Sequence, residues 1–138
     1  MSRRDTRTGN VLEQMILPAL RQGGYSYRTQ VNIGDRLGGG RHLVDVVAER
    51  NSRKYLVSVK WQQVSGTAEQ KVPFEVICLA EAVLSEPYDA AYLVLGGEGW
   101  KLRNFYITQG LGQHLVHSDK VMILTLENFI GRANSAAL

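Results

Sequence analysis

Apolar positions along this chain follow two periods, one typical of helices and one typical of strands. Over residues 10–21 apolar side chains recur at three- and four-residue spacing, which predicts an amphipathic helix that ends at Gly23-Gly24. The same spacing predicts helices through residues 74–84 and 126–133. Residues 100–109 fit either a helix or a turn, so this segment is left open between the two.

Shorter apolar segments bounded by turn residues have the composition of strands. These segments are residues 25–33, 42–48, 55–63, 88–95 and 120–125. Residues 42–48 are apolar on both faces, which is typical of a central strand covered on both sides. The order is therefore α-β-β-β-α-β-α-β-α, a meander followed by alternating helices and strands. This order predicts an α/β domain with a mixed central sheet flanked by helices.

The composition is that of a packed globular domain. The chain has 138 residues, of which 44% are hydrophobic and 21% are charged, and this length suits one domain. We expect a flexible basic arm over residues 1–8, a single domain over residues 9–134 and a frayed tail over residues 135–138. No window approaches the ~18 consecutive apolar residues of a membrane span.

Charge and cysteine content bear on the cellular setting. The net charge of +3 is a modest indication of a polyanionic partner, and much of it comes from Arg3, Arg4 and Arg7. The N-terminus lacks the apolar stretch of a signal peptide, and the single cysteine, Cys78, cannot form an internal disulfide. We therefore expect a cytoplasmic protein.

Two charged residues interrupt apolar strands. Asp45 lies within His42–Ala48, and Lys60 lies near the end of the next strand. Burying an unpaired charge is costly, so both residues require an explanation. A turn centred between Ser52 and Arg53 would place Asp45 directly opposite Lys60 on one face of a hairpin, with Cβ atoms ~5 Å apart.

This pair can serve metal-dependent chemistry. A carboxylate binds Mg²⁺, a lysine beside it orients water or stabilises developing negative charge, and a second acid completes the metal site. Ser58 stands two residues before Lys60, where that acid is expected. Glu75, near the start of the following helix, is the better candidate for the missing acid, and Glu69 is the weaker one. A plain ion pair between Asp45 and Lys60 is the structural alternative.

Asp45, followed by Ser58-Val59-Lys60 on the next strand, resembles the PD-(D/E)XK nuclease superfamily. Val44 replaces the proline of that motif and Ser58 replaces its second acid. A subgroup of restriction enzymes in this superfamily has Ser-x-Lys and supplies its glutamate from the next helix, at a spacing close to that of Glu75. The resemblance implies a restriction-endonuclease-like fold.

The resemblance also implies roles for individual residues. Asp45, Glu75 and the carbonyl of Val59 would hold Mg²⁺, for which Mn²⁺ can substitute, and Lys60 would act on the attacking water. Archaeal Holliday-junction resolvases carry a glutamate on the first helix that faces the metal, which makes Glu13 a candidate. Gln62, two residues after the lysine, is frequent in the superfamily beside the site or the DNA.

The expected function is Mg²⁺-dependent hydrolysis of DNA by an endonuclease of restriction, homing or phage type, in the cytoplasm of a bacterial or phage-infected cell. A homodimer or higher homo-oligomer is expected, as in many relatives. The alternatives are a Holliday-junction resolvase-like nuclease, a catalytically inactive DNA-binding module of the same fold, and an interaction protein with a buried Asp45–Lys60 pair.

Several other residues are candidates for contact with nucleic acid. Arg36 and Arg41 flank a glycine-rich loop and are available for phosphates. His42 is either a substrate contact or a structural histidine, and Lys71 either meets a phosphate or is simply exposed. A zinc site at His114 and His117 is disfavoured, because no third ligand is evident.

Three further side chains are assigned to packing. We expect Trp61 and Trp100 to be core or interface residues, with base stacking as the minority view. Cys78 lies on the apolar side of a helix and is assigned to packing rather than to nucleophilic chemistry.

Overall fold

A five-stranded sheet forms the centre of the protein, and its strands lie side by side in chain order. The computed structural model describes residues 6–85 and 87–138. The strands are β1 (Ser26–Asp35), β2 (Arg41–Arg50), β3 (Arg53–Trp61), β4 (Ala90–Gly96) and β5 (Val121–Thr125). Strands β1, β2 and β3 are antiparallel, whereas β3, β4 and β5 are parallel. The mixed α/β sheet predicted from the sequence is confirmed.

Helices cover both faces of this sheet. They are α1 (Thr6–Val11), α2 (Leu17–Gln22), α3 (Ala68–Ser85), α4 (Arg103–Ile107) and α5 (Leu126–Asn134). A π-helical turn, Leu12–Ile16, joins α1 to α2. The segment left open between helix and turn contains α4. Two 3₁₀ turns, Gly110–Gln113 and Ser118–Lys120, lie between α4 and β5. No helix in the described part of the chain has both the length and the apolar character needed to cross a membrane.

The core is divided by the sheet into two layers. One layer lies between the sheet and α1, α2 and α5, and includes Leu12, Val57 and Phe129. The other lies beneath α3 and includes Leu56 and Leu79. Leu56 and Val57 are adjacent on β3 and fully buried in opposite layers, which is the two-residue alternation expected of a strand covered on both faces.

The β2–β3 hairpin turns one residue earlier than the sequence predicted. Asn51 and Ser52 both have positive φ, at 53° and 65°, as the tight turns of two-residue hairpins require. Pairing then runs from Arg50–Arg53 to Val46–Val57. Continued by one pair, this register sets Asp45 across from Ser58, so the predicted direct opposition of Asp45 and Lys60 is wrong. The displacement is two residues, which keeps Lys60 on the same face as Ser58.

Both ends of the described chain contact or continue regular structure. Helix α1 begins at Thr6, so residues 6–8 are helical, and the rest of the expected arm lies outside the described residues. At the other end the backbone N–H of Leu138 donates to the Tyr25 hydroxyl at 3.1 Å. Ala136 and Leu138 are partly buried and pack against the core.

Candidate active site

Strands β2 and β3 separate at one end of the sheet. Their pairing ends at Val46–Val57, although β2 extends back to Arg41 and β3 extends forward to Trp61. A cavity of about 480 Å³ occupies this end, between the two strands and the first turns of α3. Asp45, Lys60 and Glu75, the charged residues singled out by the sequence, all line it.

Glu75 lies close to three other side chains of this site. Its Oε1 lies 3.1 Å from Nε2 of His42, and its Oε2 accepts a 2.7 Å hydrogen bond from Oγ of Ser58. The Lys60 Nζ lies 3.8 Å from the same Oε2. Because an ionised carboxylate can only accept hydrogen bonds, Nε2 of His42 carries the proton in this contact. Side chains from β2 and from β3 thus both contact the carboxylate of Glu75, which lies on α3.

The protonation of Glu75 reflects opposing influences. Burial by itself raises the pKa of this carboxyl, because a charge is poorly solvated inside the cavity. The hydrogen bond from His42, the positive charge of Lys60 and the hydrogen bond from Ser58 act in the other direction, and the net pKa of Glu75 lies below its ordinary value. Glu75 is therefore an anion over the physiological pH range.

Asp45 spans the gap where the strands part. Its Oδ2 accepts a 2.8 Å hydrogen bond from the backbone N–H of Val59. A side chain thus bonds to a backbone group beyond the last β2–β3 pair. Asp45 is partly buried, and both Asp45 and Val59 line the cavity, so the predicted carboxylate and the backbone of the predicted carbonyl ligand are neighbours.

Glu13 and Gln62, also expected at the site, are not among the described residues that line this cavity. Glu13 is exposed on the π-helical turn, and the nearby cavity position is taken by buried Thr8 of α1. A π turn adds a residue to the helical period. The position expected for Glu13 from regular α-helical spacing is therefore displaced. The sequence signal for Thr8 was absent, because one threonine in a helix carries no distinguishing pattern.

Gln62 supports the start of α3 instead of facing the cavity. It is buried, its Oε1 accepts a 3.0 Å hydrogen bond from the N–H of Ala68, and its Nε2 donates to the carbonyl of Gly99 at 2.9 Å. These bonds satisfy a backbone donor of the first helical turn. Gln62 therefore contacts the start of the helix that carries Glu75.

Glu69, the weaker candidate acid, is occupied elsewhere. Its buried carboxylate accepts hydrogen bonds from the backbone N–H groups of Lys101 and Leu102. Its own carbonyl accepts a 2.8 Å bond from the Tyr106 hydroxyl. Glu69 is not among the described cavity residues, so Glu75 is the one of the two candidates that the fold brings to Asp45.

The residues expected to meet nucleic acid divide into two groups. Arg36, His42 and Lys71 line the cavity, whereas Arg41 is exposed and does not belong to the described lining. Arg36 donates from Nε and Nη2 to the carbonyl of Arg41, at 3.2 and 3.1 Å. His42 is only 3% exposed and is engaged with Glu75, which favours the structural interpretation of this histidine.

Gln30 and Trp61 also line the cavity. Gln30 is exposed and has φ of 51°, a backbone conformation that is uncommon for a residue other than glycine. The buried Nε1 of Trp61 has no hydrogen-bond partner among the described residues. By contrast, Trp100 is buried and donates to the Gly96 carbonyl at 2.8 Å, as expected of a core residue.

Other candidate chemistry lies apart from this site. A cavity of about 420 Å³ beside β5 is lined mainly by apolar side chains and by His117 and Asp119. His114 packs its ring against Phe105 instead, at 6.4 Å between ring centres. Cys78 is buried, and burial raises the pKa of its thiol, which agrees with a packing role.

Comparison with known families accords with this geometry. The family described as the PD-(D/E)XK nuclease superfamily domain matches residues 4–137. The protein therefore belongs to the PD-(D/E)XK nuclease superfamily, as the Asp45 and Ser58-Val59-Lys60 motif indicated. Members of this superfamily are generally hydrolytic nucleases that use divalent metals. A comparison with curated proteins gave no significant match.

Two solved structures match parts of this chain. One is the crystal structure of a protein of unknown function, AF1548, with a TM-score of 0.50 and 11% identity, covering 80% of this chain and 54% of that one. The other is protein VC1899 from Vibrio cholerae, with a TM-score of 0.45 and 13% identity, covering 94% of this chain and 30% of that one. The chain thus spans only part of each, and the first likeness concerns the fold alone.

Proposed function

We propose that this protein is a Mg²⁺-dependent endonuclease that hydrolyses phosphodiester bonds in DNA. The observation that carries the proposal is the convergence of Asp45, Lys60 and Glu75 on one cavity, within a fold of the PD-(D/E)XK superfamily. A buried anion facing a lysine in a cavity is an arrangement typical of active sites.

The donor atoms at this site suit Mg²⁺. Among residues 6–85 and 87–138, no three or more His, Cys, Asp or Glu side chains form a complete metal site by themselves. Mg²⁺ does not require one, because it commonly takes one or two carboxylates and completes its shell with water and substrate phosphate. Glu75 has about four lone-pair positions, of which hydrogen bonds from His42 and Ser58 use two. Asp45, Glu75 and the Val59 carbonyl are the proposed ligands.

Each residue then has a definite task. A bound divalent cation would polarise the scissile phosphate and lower the pKa of bound water. Lys60, with its side chain 31% exposed, directs a positive charge into the cavity, where it orients the attacking water and offsets the charge that develops on the phosphate. The Glu75 carboxylate holds negative charge 3.8 Å from the Lys60 ammonium, and Asp45 adds a second carboxylate to the same cavity.

Basic residues at the cavity offer a route for the DNA backbone. Arg36 and Lys71 line the same cavity as His42 and Glu75. We propose that they contact phosphates flanking the scissile bond, together with exposed Arg41. We also propose a homodimer, as in many members of the superfamily, which would supply two active sites. Light scattering on the purified protein tests the dimer.

Cleavage of supercoiled plasmid DNA tests the function. We expect nicked or linear product with Mg²⁺ or Mn²⁺, none with EDTA, and a loss of at least about a hundredfold in Asp45→Asn and Glu75→Gln. Glu81→Gln, an exposed carboxylate on the same helix, is the matched control and should cleave normally. Activity that survives in both Asp45→Asn and Glu75→Gln would contradict this assignment.

The same assay separates the alternatives. A wild-type protein that binds DNA but leaves plasmid and oligonucleotide substrates intact with either metal is a binding module of this fold. Selective cleavage of four-way junctions over linear duplexes identifies a junction resolvase, and cleavage of RNA alone would move the proposal to a ribonuclease.

A further inference from the structure

The side chains of β2 change faces partway along the strand. Val46 and Ala48 pack in the layer beneath α1 and α2, whereas Val44 packs in the layer beneath α3. In a regular strand these residues would share one face, because side chains alternate with a period of two. The alternation is therefore interrupted between Val44 and Val46, at Asp45.

Strand β1 makes the same change at the same level. Tyr27 packs in the layer beneath α1 and α2, whereas Val31 and Ile33 pack beneath α3. The pairs Thr29–Val46 and Val31–Val44 bracket the interruption. The side chains of both strands thus change core layer at the same level, while the pairing register between the strands stays the same.

Gln30 is the β1 residue at which the side-chain alternation of the β1–β2 hairpin is interrupted. It lies between the two bracketing pairs, across from Asp45, and is the only non-glycine of β1 with a positive φ, at 51°. A single left-handed residue in a strand rotates the chain that follows it. A positive φ is disfavoured for L residues other than glycine, and it persists where the surrounding structure holds it, often at functional sites.

This interruption determines which core layer the side chain of His42 faces. Counted from Val46 and Ala48 along a regular strand, His42 would face α1 and α2. After the interruption it faces α3 instead, where it is 3% exposed and its Nε2 lies 3.1 Å from Oε1 of Glu75. The backbone conformation of Gln30 and the contact of His42 with Glu75 are thus connected through two residue pairs of the β1–β2 hairpin, Val31–Val44 and Asn32–Leu43.

We propose that Gln30 and His42 form a positioning device for Glu75: the left-handed conformation of Gln30 turns His42 towards α3, and His42 holds the carboxylate in its orientation. His42 is then a positioning residue rather than a contact for nucleic acid. This inference rests on the proposed function for its effect on catalysis, but the coupling between Gln30 and His42 is independent of any activity.

The variants separate backbone conformation from side-chain chemistry. Gln30→Gly removes the side chain but adopts positive φ readily, whereas Gln30→Val strongly disfavours it. At the other site His42→Ala removes the donor, and His42→Gln restores an N–H donor on a side chain of similar reach. If Gln30→Val fails to fold, Gln30→Ala applies the same bias more gently.

The first readout needs neither metal nor DNA. The chain has three histidines, so the imidazole nitrogen signals of His42 can be assigned by NMR against His42→Gln. We expect these signals to be unchanged in Gln30→Gly and displaced in Gln30→Val or Gln30→Ala. Unchanged His42 signals in the folded Gln30→Val or Gln30→Ala protein would overturn the proposal.

The second readout is cleavage and Mn²⁺ affinity. We expect His42→Ala and Gln30→Val each to lower kcat and Mn²⁺ affinity by about 10–100-fold, with DNA affinity in EDTA little changed, and His42→Gln to recover part of the loss. The double variant should be no worse than His42→Ala, because both changes act through one contact. The positioning role would be refuted if the losses of the single variants multiply in the double variant. It would also be refuted if His42→Ala loses DNA affinity alone. A wild type without activity refutes the proposed nuclease, while the NMR comparison still tests the device.

Discussion

Ser58 Oγ donates a 2.7 Å hydrogen bond to Oε2 of Glu75, which joins β3 to α3 across the cavity. Ser58 occupies the position at which the superfamily motif has its second acid. A serine there is short enough to leave room for a carboxylate that arrives from the helix, and its hydroxyl fixes that carboxylate. Under the proposed function, Glu75 takes the role of the motif's second acid, although it comes from α3 and not from β3.

Removal of this hydroxyl should weaken both stability and catalysis. Ser58 is 2% exposed, so Ser58→Ala leaves a buried charged group with one partner fewer, and we expect a loss of about 1–3 kcal/mol in the free energy of unfolding. Urea denaturation measures this loss, and plasmid cleavage should slow in parallel. Ser85→Ala, at the exposed end of the same helix, is the control. Equal stability of the two variants would show that the bond to Glu75 contributes nothing.

Gln62 should prove to be a residue of stability rather than of chemistry. Gln62→Ala removes two hydrogen bonds that tie the start of α3 to the segment around Gly99, which we expect to cost about 1–3 kcal/mol in unfolding free energy. Its neighbour Gln63 is exposed, so Gln63→Ala should change stability by less than about 0.5 kcal/mol. Cleavage by folded Gln62→Ala should stay within a few-fold of wild type at low temperature. If Gln62→Ala loses cleavage but not stability, Gln62 is a residue of the catalytic site.

The order of the elements and the charged centre were both accessible from the sequence. Hydrophobic period distinguishes helix from strand in a chain of short, regular elements, and an Asp and a Lys within apolar strands stand out because buried charge is costly. The register was less accessible, because Asn51-Ser52 and Ser52-Arg53 are both plausible turn pairs. The error of two residues preserved the face of Lys60, which is why the cavity still contains both predicted charges.

The positions of His42, Glu69 and Gln62 were not accessible in the same way. The first depends on the backbone conformation of Gln30, and glutamine is not a residue type that signals positive φ. Glu69 and Gln62 bond to backbone groups at Lys101 and Gly99, more than thirty residues along the chain. Sequence periodicity describes local structure, whereas these roles arise from tertiary contacts.

The lowered pKa of Glu75 predicts a specific dependence of stability on pH. Above the ordinary value of 4.5 the carboxylate is ionised in the folded and unfolded chains, so its full stabilisation is present. As the pH falls below that value the unfolded chain takes up the proton first, and the stabilisation is lost as the pH passes through the lower folded value. The difference in unfolding free energy between wild type and Glu75→Gln should therefore be constant above about pH 5 and shrink on acidification.

Urea denaturation at a series of pH values measures this difference. Glu81→Gln, an exposed carboxylate on the same helix, shows how much of any trend comes simply from the removal of a negative charge from α3. A difference that grows on acidification would indicate a raised pKa for Glu75, and would mean that burial outweighs the contacts with His42, Lys60 and Ser58.

Trp61 should report directly on occupancy of the cavity. The chain has two tryptophans. Trp100 is buried and donates a hydrogen bond to the carbonyl of Gly96. Trp61 is partly exposed and lines the cavity, and its Nε1 has no hydrogen-bond partner among the described residues. In a Trp100→Phe protein, an oligonucleotide added in EDTA should change the emission of Trp61, because a nucleic acid in the cavity alters the surroundings of the indole. Circular dichroism checks that this protein is folded, and Trp61→Phe supplies the background from Trp100. If fluorescence anisotropy of a labelled oligonucleotide shows binding while the emission of Trp61 stays constant, the DNA binds away from Asp45 and Lys60, and the assignment of this cavity as the active site is wrong.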